Sequence, residues 1–365
     1  MKKILAGAVA ALLATSLVSA EGFKLSGLVR GGWSNIIDNL DTDADGDGDT
    51  AESTTKTWLP GDYFGGSTRS RLNLKWDAEG DVAGAFLRYQ YTGTADGWKT
   101  GDVKYAYAYV NPLNGLLTVS AGRLMDNWIG SDGYEGFSAF DGKNGFYAGV
   151  NPIEGLSIGG GAVVDYLDKE TTTSSSSYRA SKKQVYFGAK YAKKDVFSVA
   201  AAGVLAGEFY ANVNINAVKN LLLAFEYDHA SDDILDDGNS AYSAENTFVE
   251  QVEYTGVENL LVGVFSYQFL NSRKDLNDNP IADDSNLVVT ITPYASYEIN
   301  ETFGASLEST ITINSYDDAP DTFATIVPAF YVKANDKAKA SLWALISTDT
   351  DQKKHQIGTG VSFSF

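Results

Sequence analysis

The stretch DTDADGDGDTAE, residues 41–52, places acidic side chains at the spacing of a calcium-binding loop. Carboxylates stand at loop positions 1, 3, 5, 9 and 12, and a glycine at position 6 supplies the sharp turn. The candidate ligands are Asp41, Asp43, Asp45, Asp49 and Glu52. Gly48 stands where such loops carry a hydrophobic residue, and no helical pattern flanks the stretch. An acidic surface loop without metal is therefore the alternative to a Ca²⁺ site, and no other cofactor is predicted.

The first twenty residues, MKKILAGAVAALLATSLVSA, have the three parts of a secretory signal. Lys2 and Lys3 form a positive region, residues 4–17 an apolar run, and residues 18–20 a small-residue cleavage site. We expect residues 1–20 to be removed and residues 21–365 to form one exported domain.

The exported part is strongly acidic, with 26 basic against 47 acidic residues. Such a charge disfavours nucleic acid as a partner. Cysteine is absent from the sequence, which excludes disulfides and thiol chemistry. No run of about 18 apolar residues follows the signal, so the sequence predicts no transmembrane helix.

The hydrophobic pattern has a period of two residues. In the terminal stretch IGTGVSFSF, residues 357–365, larger side chains alternate with glycine or serine, and residues 287–299 and 209–218 alternate in the same way. This period predicts β-strands with one apolar face. The asparagines at 212, 214 and 216 share the other face of their strand, which suits a wall in contact with water.

Short connections alternate with longer polar ones along the chain. DAEGD (77–81), NPLNG (111–115) and NPIEG (151–155) are short, whereas residues 39–66 and 125–142 form long connections. This alternation is typical of an antiparallel up-and-down transmembrane β-barrel, and closure leaves no backbone edge unpaired in hydrocarbon. We predict an all-β barrel of 16–18 strands, with 18 preferred. The strand number depends on whether residues 196–218 form a hairpin of the wall.

Some positions of the predicted strands are irregular. Pro293 and Pro328 fall inside strands, where each removes a ladder hydrogen bond, and we interpret them as bulges. Aromatic residues near strand ends, among them Tyr105 and Tyr109, are assigned to outward-facing girdles.

A secreted soluble β-sandwich is the alternative fold, but the polar faces repeat too consistently for two sheets that share one core.

The exported part of the chain resembles in its pattern the general diffusion porins of Gram-negative outer membranes, and the resemblance is closest in residues 67–152. TRSRLNLKWDAEGDVAGAFLRYQYTG is similar to the second and third strands of that family, and AGRLMDNWIGSDGYEGFSAFDG to the strand that leads into its third loop. The terminal SFSF is similar to the family's assembly signal. The resemblance implies an outer-membrane channel for small hydrophilic solutes and ions. It also implies a homotrimer in contact with outer-membrane lipid and lipopolysaccharide.

In that family the third loop folds into the barrel, and its carboxylates face basic side chains on the wall. The corresponding loop here is residues 125–142, although YEGF differs from the family's Pro-Glu-Phe-Gly-Gly motif. Charges of opposite sign across a narrow aqueous pore filter solutes by size and charge. The predicted acids are Asp126, Asp132, Glu135 and Asp141.

The predicted basic side chains of the constriction come from the resemblance and from strand parity. Lys104 is predicted to point inward because its parity is opposite to that of Val103 and of the tyrosines at 105, 107 and 109, which are assigned to the lipid-facing side. Arg123 has outward parity and is included on the expectation that a bulge or the start of the loop turns it inward. The full basic set is Arg71, Lys104 and Lys143 from the resemblance, Arg30, Arg69 and Arg88 from parity, and Arg123.

Three other functions fit parts of the sequence. A sugar-specific channel would use aromatic side chains along the lumen; those with inward parity are Phe86, Tyr147, Tyr186, Tyr210 and Trp343. A barrel enzyme is disfavoured because His229 and His355 do not stand in the order of a catalytic triad. A surface adhesin or structural barrel would use the same fold without conducting solutes.

Overall fold

The structure is a computed structural model, and it describes residues 22–38, 52–56, 69–94, 97–98, 101–125, 129, 140, 142–163, 185–205, 207–231, 244–272, 286–315, 322–348 and 354–365. Within these ranges the chain forms β-strands and one short 3-10 helix, Glu79–Asp81. The strands are β1 (Phe23–Asp38), β2 (Glu52–Lys56), β3 (Arg69–Asp77), β4 (Ala83–Thr94), β5 (Gly97–Trp98), β6 (Asp102–Val110), β7 (Leu117–Arg123), β8 (Asn144–Ile153), β9 (Leu156–Val163), β10 (Val185–Lys193), β11 (Phe197–Val204), β12 (Glu208–Ile215), β13 (Leu221–Ala230), β14 (Ala244–Val257), β15 (Leu260–Ser272), β16 (Leu287–Glu298), β17 (Phe303–Ser315), β18 (Phe323–Asn335), β19 (Ala338–Ser347) and β20 (Lys354–Ser364).

The strands close into one antiparallel barrel. β1 pairs with β3 on one side and with β20 on the other, from Leu28 opposite Ser364 to Asp38 opposite Lys354. The last residue completes this seam, because Gly27 and Phe365 exchange backbone hydrogen bonds of 2.9 and 3.1 Å. Closure satisfies the edge strands, as a sheet in hydrocarbon requires.

The wall contains 18 strands, as predicted. β2 and β5 do not add to the circumference, because each only pairs with an extension of the strand before it, β1 and β4 respectively. The hairpin that decided the number is β11 and β12, which pair from Phe197 opposite Ile215 to Val204 opposite Glu208. Three residues, 205–207, separate the two strands in the sequence.

The two faces of the wall differ in the way the alternation predicts. Large apolar side chains point outward and are exposed: Val361 is 60% exposed, Leu342 54% and Phe146 51%. The opposite face carries most of the buried polar side chains, including Asn212 and Thr292. The asparagine-bearing face of β12 therefore points into the barrel, as expected.

The interpretation of the two strand prolines as bulges is wrong. Pro293 pairs in register with Val264, and Pro328 pairs in register with Leu307. On their other sides the ladders resume without a shift, for example at Tyr294 opposite Glu308. Each proline therefore interrupts the ladder locally without adding a residue to its strand.

Among the described residues, no helix has the length and apolar character needed to cross a membrane.

Candidate functional site on the inner wall

Four arginines cluster on the inner face of β1, β3 and β4. Arg30 lies directly opposite Arg69, and Arg71 interacts electrostatically with Arg69, Arg88 and Arg30. Neutral amides orient two of the guanidinium groups: Arg71 Nε donates to Gln90 Oε1 at 2.8 Å, and Arg88 Nε donates to Asn73 Oδ1 at 2.7 Å. These contacts orient the two guanidinium groups, and because the amides are neutral they do not neutralise the positive charge of the arginines. The parity prediction is confirmed for all four arginines.

A row of tyrosines on β6 faces the lumen, which corrects the sequence prediction. Tyr107 lies opposite Phe86 and Tyr105 opposite Arg88, so both share the inner face. The register between β4 and β6 then shifts by one residue, because Tyr89 lies opposite Val103 instead of Lys104. Lys104 is the extra residue of this bulge, and it moves the tyrosines to the face opposite from Val103. The assignment of Tyr105 and Tyr109 to an outward girdle is therefore wrong.

Lys104 reaches the inner side for a different reason from the one predicted. As the bulge residue it does not follow strand parity, but its Nζ lies 5.6 Å from the ring centroid of Tyr105, which faces inward. Lys143 has the inner parity of Tyr147 at the start of β8, in agreement with the prediction. Its backbone oxygen accepts a hydrogen bond of 2.9 Å from Leu124.

Arg123 remains on the outward face. It pairs with Ala106 on one side and Asn144 on the other, both of outward parity. Its Nε donates to the backbone oxygen of Lys104 at 3.1 Å. The register runs straight to the end of β7, so the bulge expected to turn Arg123 inward is not present in this strand.

Carboxylates of the wall itself face the arginines across the barrel. Glu208, Glu226 and Asp228 lie on the inner face of β12 and β13, and all three are buried. In the closed order of the 18 wall strands, β13 is nine strands from β3, so it lies on the opposite side. Sequence reasoning missed these acids. The signal was present in residues 224–228, where Glu226 and Asp228 alternate with Phe225 and Tyr227.

The segment that follows β7 contacts the inner wall. Phe140 lies 5.2 Å from Tyr186 and 6.0 Å from Tyr147, measured between ring centroids. Leu124 is fully buried in the same cluster, and Ile129 packs against it. Tyr147 and Tyr186 point into the barrel, so these three residues of the segment lie against the lumen side of the wall.

Several predicted site residues fall outside the part of the chain that the structure describes. Asp126, Asp132, Glu135 and Asp141 do so in the third loop, as do Asp41, Asp43, Asp45 and Asp49 in the acidic stretch. Glu52 is the first residue of β2, of which only the backbone is described. The loop carboxylates and the calcium site remain predictions.

Aromatic side chains line other parts of the inner wall. The predicted inward orientation of Phe86, Tyr147, Tyr186, Tyr210 and Trp343 agrees with the strand register. A further row was missed: on β15 Tyr267 stacks on Phe269 with centroids 5.7 Å apart and an interplanar angle of 6°, and Phe265 lies 5.7 Å from Tyr267. These three rings share the inner face with Thr290 and Thr292 of β16.

Comparison with solved structures defines the fold. No family model matches the sequence, and no curated protein matches it. OccD3 of Pseudomonas aeruginosa is similar over 95% of this chain and 92% of its own, with 12% identity and a TM-score of 0.55. This chain has an outer-membrane porin fold. OpdQ of Pseudomonas aeruginosa (11% identity) and OccAB4 of Acinetobacter baumannii (10%) share the porin fold, each over 94% of this chain and 98% of its own, with TM-scores of 0.55.

Proposed function

We propose that this protein is an outer-membrane channel through which small hydrophilic solutes and ions diffuse in a water-filled lumen. The observation that carries the proposal is the charge arrangement of the inner wall. Arg71 and its neighbours on β1, β3 and β4 lie on one side, and Glu226 on β13 lies nine strands from β3 on the other. Opposite charges across an aqueous pore create a transverse field that orients dipolar solutes and selects by charge.

The third loop narrows this lumen in our proposal. Phe140 contacts inward-facing rings of β8 and β10, and Ile129 packs against the same cluster, which supports a path of residues 125–142 inside the barrel. The predicted acids of that loop, Asp126, Asp132, Glu135 and Asp141, would then add to the negative side. Lys104 and Lys143 stand at the base of the loop and contribute to the positive side.

Export, membrane location and assembly complete the proposal. The signal at residues 1–20 directs export, and the outward-facing apolar side chains suit acyl chains and the lipid part of lipopolysaccharide. Pairing of Phe365 with Gly27 at the seam supports the idea that the chain ends in an assembly signal. The resemblance to general diffusion porins supports a homotrimer.

Liposome swelling tests the proposed function directly. We expect vesicles that contain the refolded protein to swell in small neutral sugars, at rates that fall steeply as the sugar becomes larger. Empty vesicles and vesicles with heat-denatured protein are the controls. A folded barrel that gives no swelling and no ionic current would contradict the channel and favour an adhesin or a structural barrel.

A substrate-specific channel is the second candidate, favoured by the aromatic row on β15. Flat apolar rings beside the hydroxyl groups of Thr290 and Thr292 suit the faces and edges of sugar rings. If the row binds sugars, maltodextrins should block single-channel current, and Tyr267→Ala should weaken the block. Val264→Ala, on the outward face of the same strand, is the matched control. Current that maltodextrins leave unchanged would favour general diffusion.

A further inference from the structure

Polar side chains interrupt the outward apolar face of the wall on β13, β14 and β15. Glu250 lies in the middle of β14, where it pairs with Phe225 on one side and Ser266 on the other. It has the outward parity of Val252 and Val264, whose side chains are exposed. Among the wall positions whose side chains the structure describes, Glu250 is the only acidic one on this face. The middle of a strand is also the part that lies deepest in the hydrocarbon.

Hydrogen-bonding groups of neighbouring strands surround this carboxylate. Ser266 Oγ donates to Glu250 Oε2, and Gln268 Nε2 donates to Glu250 Oε1 at 3.0 Å. Nearer the long connections, Asn246 Oδ1 accepts a hydrogen bond of 2.8 Å from the hydroxyl of Tyr227. We call Asn246, Glu250, Ser266 and Gln268 the polar patch.

Lipid is a poor neighbour for the polar patch. A charged side chain on the lipid face destabilises a barrel most at the bilayer midplane, and acyl chains offer no hydrogen-bonding group to an amide or a carboxylate. The outward residues at the same depth on the next strands are apolar, as at Val289 and Ile291 of β16 and Ile311 of β17. The polar patch therefore fits a protein surface that presents hydrogen-bonding groups at its own depth.

We infer that a second copy of this chain covers the polar patch. Copies in one membrane share one orientation, so a rotation axis between them runs along the membrane normal and brings residues of equal depth together. Such an axis sets the β14 side of one patch against the β15 side of its neighbour. The acceptor Glu250 is on β14, and its pairing with Ser266 places the donors of β15 at nearly the same depth. The two sides of the patch are therefore complementary between copies.

Aromatic side chains extend the contact beside the polar patch. Phe248 lies 6.2 Å from Phe225 and 5.0 Å from Tyr227 between ring centroids, and all three have outward parity. Rings of this size supply large contact areas. The inference gives the proposed homotrimer a contact face, and it rests on the membrane location and assembly proposed above.

The oligomeric mass in mild detergent tests the inference. Light scattering during size-exclusion chromatography gives the protein mass of each detergent complex, and we expect the unsubstituted protein to be a homo-oligomer. Glu250→Leu and Gln268→Leu each remove one side of the polar patch. Each should lower the association constant about tenfold, the loss expected for one charge-assisted hydrogen bond. Glu250→Gln keeps an acceptor oxygen and should associate more strongly than Glu250→Leu.

Thr359→Leu is the matched control. Thr359 stands in the middle of β20 on the outward face, opposite Leu342, and its hydroxyl donates to the backbone oxygen of Ser341 at 2.8 Å. This variant should keep the oligomer. A heat-sensitive compact band on a gel identifies the folded barrels, and Gln268→Leu decides the test if Glu250→Leu does not fold.

Three results would overturn the inference: oligomers that persist fully in both leucine variants of the patch, equal loss of the oligomer in Thr359→Leu, or an unsubstituted protein that is a single barrel. Each barrel encloses its own lumen, so the patch variants should still swell liposomes. An intact oligomer without any swelling would contradict the proposed channel and leave the contact between copies standing.

Discussion

The guanidinium carbon of Arg88 lies 4.9 Å from the ring centroid of Tyr105 on the adjacent strand. The same group lies 5.6 Å from the ring of Phe86 and bonds to the amide oxygen of Asn73. Rings and amides hold an arginine by cation–π attraction and hydrogen bonding while leaving its charge in place. The bulge at Lys104 makes this arrangement possible, because it turns the tyrosines of β6 to the arginine side of the wall.

Removing one arginine from this cluster should shift ion selectivity. We expect Arg71→Gln to raise the permeability ratio of K⁺ over Cl⁻ by about a factor of two, which corresponds to roughly 0.4 kcal/mol. The measurement is the reversal potential of single channels in a KCl gradient. Arg123→Gln removes the same charge from the outward face and should leave the ratio unchanged. Equal shifts in the two variants would place the selectivity filter elsewhere.

Neutralising a wall carboxylate should act in the opposite direction. Glu226→Gln removes an inward-facing acid of β13, and we expect it to lower the same permeability ratio by about a factor of two. Glu250→Gln is the control: Glu250 has outward parity on β14, where its carboxylate accepts hydrogen bonds from Ser266 and Gln268. If only the loop acids contribute to the field, Glu226→Gln will not differ from this control.

Two turns of similar sequence allow the stability cost of backbone strain to be distinguished from the cost of close packing. Gly115 in VNPLNGL and Gly155 in VNPIEGL have φ angles of 81° and 80°. Alanine at either position is strained by about 1 kcal/mol because of the left-handed backbone. A Cβ at Gly155 would also overlap the backbone oxygen of Ala192, whereas Gly115 has open space. We expect Gly155→Ala to lower the free energy of unfolding by about 1–3 kcal/mol more than Gly115→Ala does, and therefore to lower the unfolding temperature more.

Heat-induced loss of the compact band on a gel, read for both variants beside the unsubstituted protein, measures that difference. Equal unfolding temperatures would show that the Ala192 contact relaxes freely and that strain alone sets the cost.

The acidic stretch makes a separate prediction. If residues 41–52 bind calcium, the folded protein should take up one Ca²⁺ with a dissociation constant on the order of 10⁻⁴–10⁻³ M, as extracellular modules do. Asp45→Ala should weaken binding, because position 5 is a ligand position, and Asp38→Ala, just before the loop, should not. Calorimetric titration of the three proteins gives the comparison. No heat of binding in any of them would assign the stretch to a solvated acidic loop.

Strand alternation and connection length were enough to predict the barrel and its 18 strands. Each strand of such a wall meets water on one side and lipid on the other, so its sequence carries the period of two. The arginines on β1, β3 and β4 were placed correctly for this reason. Alternation assigns side chains to the correct face only along an uninterrupted strand, because one extra residue moves every later side chain to the other face of the sheet.

Lys104 is that extra residue, and nothing in DVKYAYAYV marks it. Tyrosine suits both a lipid interface and a wet lumen, so composition alone does not choose between the two faces of β6. The wall acids were missed for another reason. Glu226 and Asp228 alternate with apolar neighbours in the usual way, but the resemblance directed attention to the third loop as the source of negative charge.

Cysteine accessibility in the open channel tests the central claim, that alternate residues of each strand line a water column. The sequence has no cysteine, so single substitutions report without background. We predict that a charged methanethiosulfonate added in water will reduce the current of Tyr107→Cys and will not affect Ala108→Cys, its neighbour of outward parity. Modification of Ala108→Cys but not Tyr107→Cys would contradict the register of β6, and insensitivity of both would contradict a water-filled lumen along this strand.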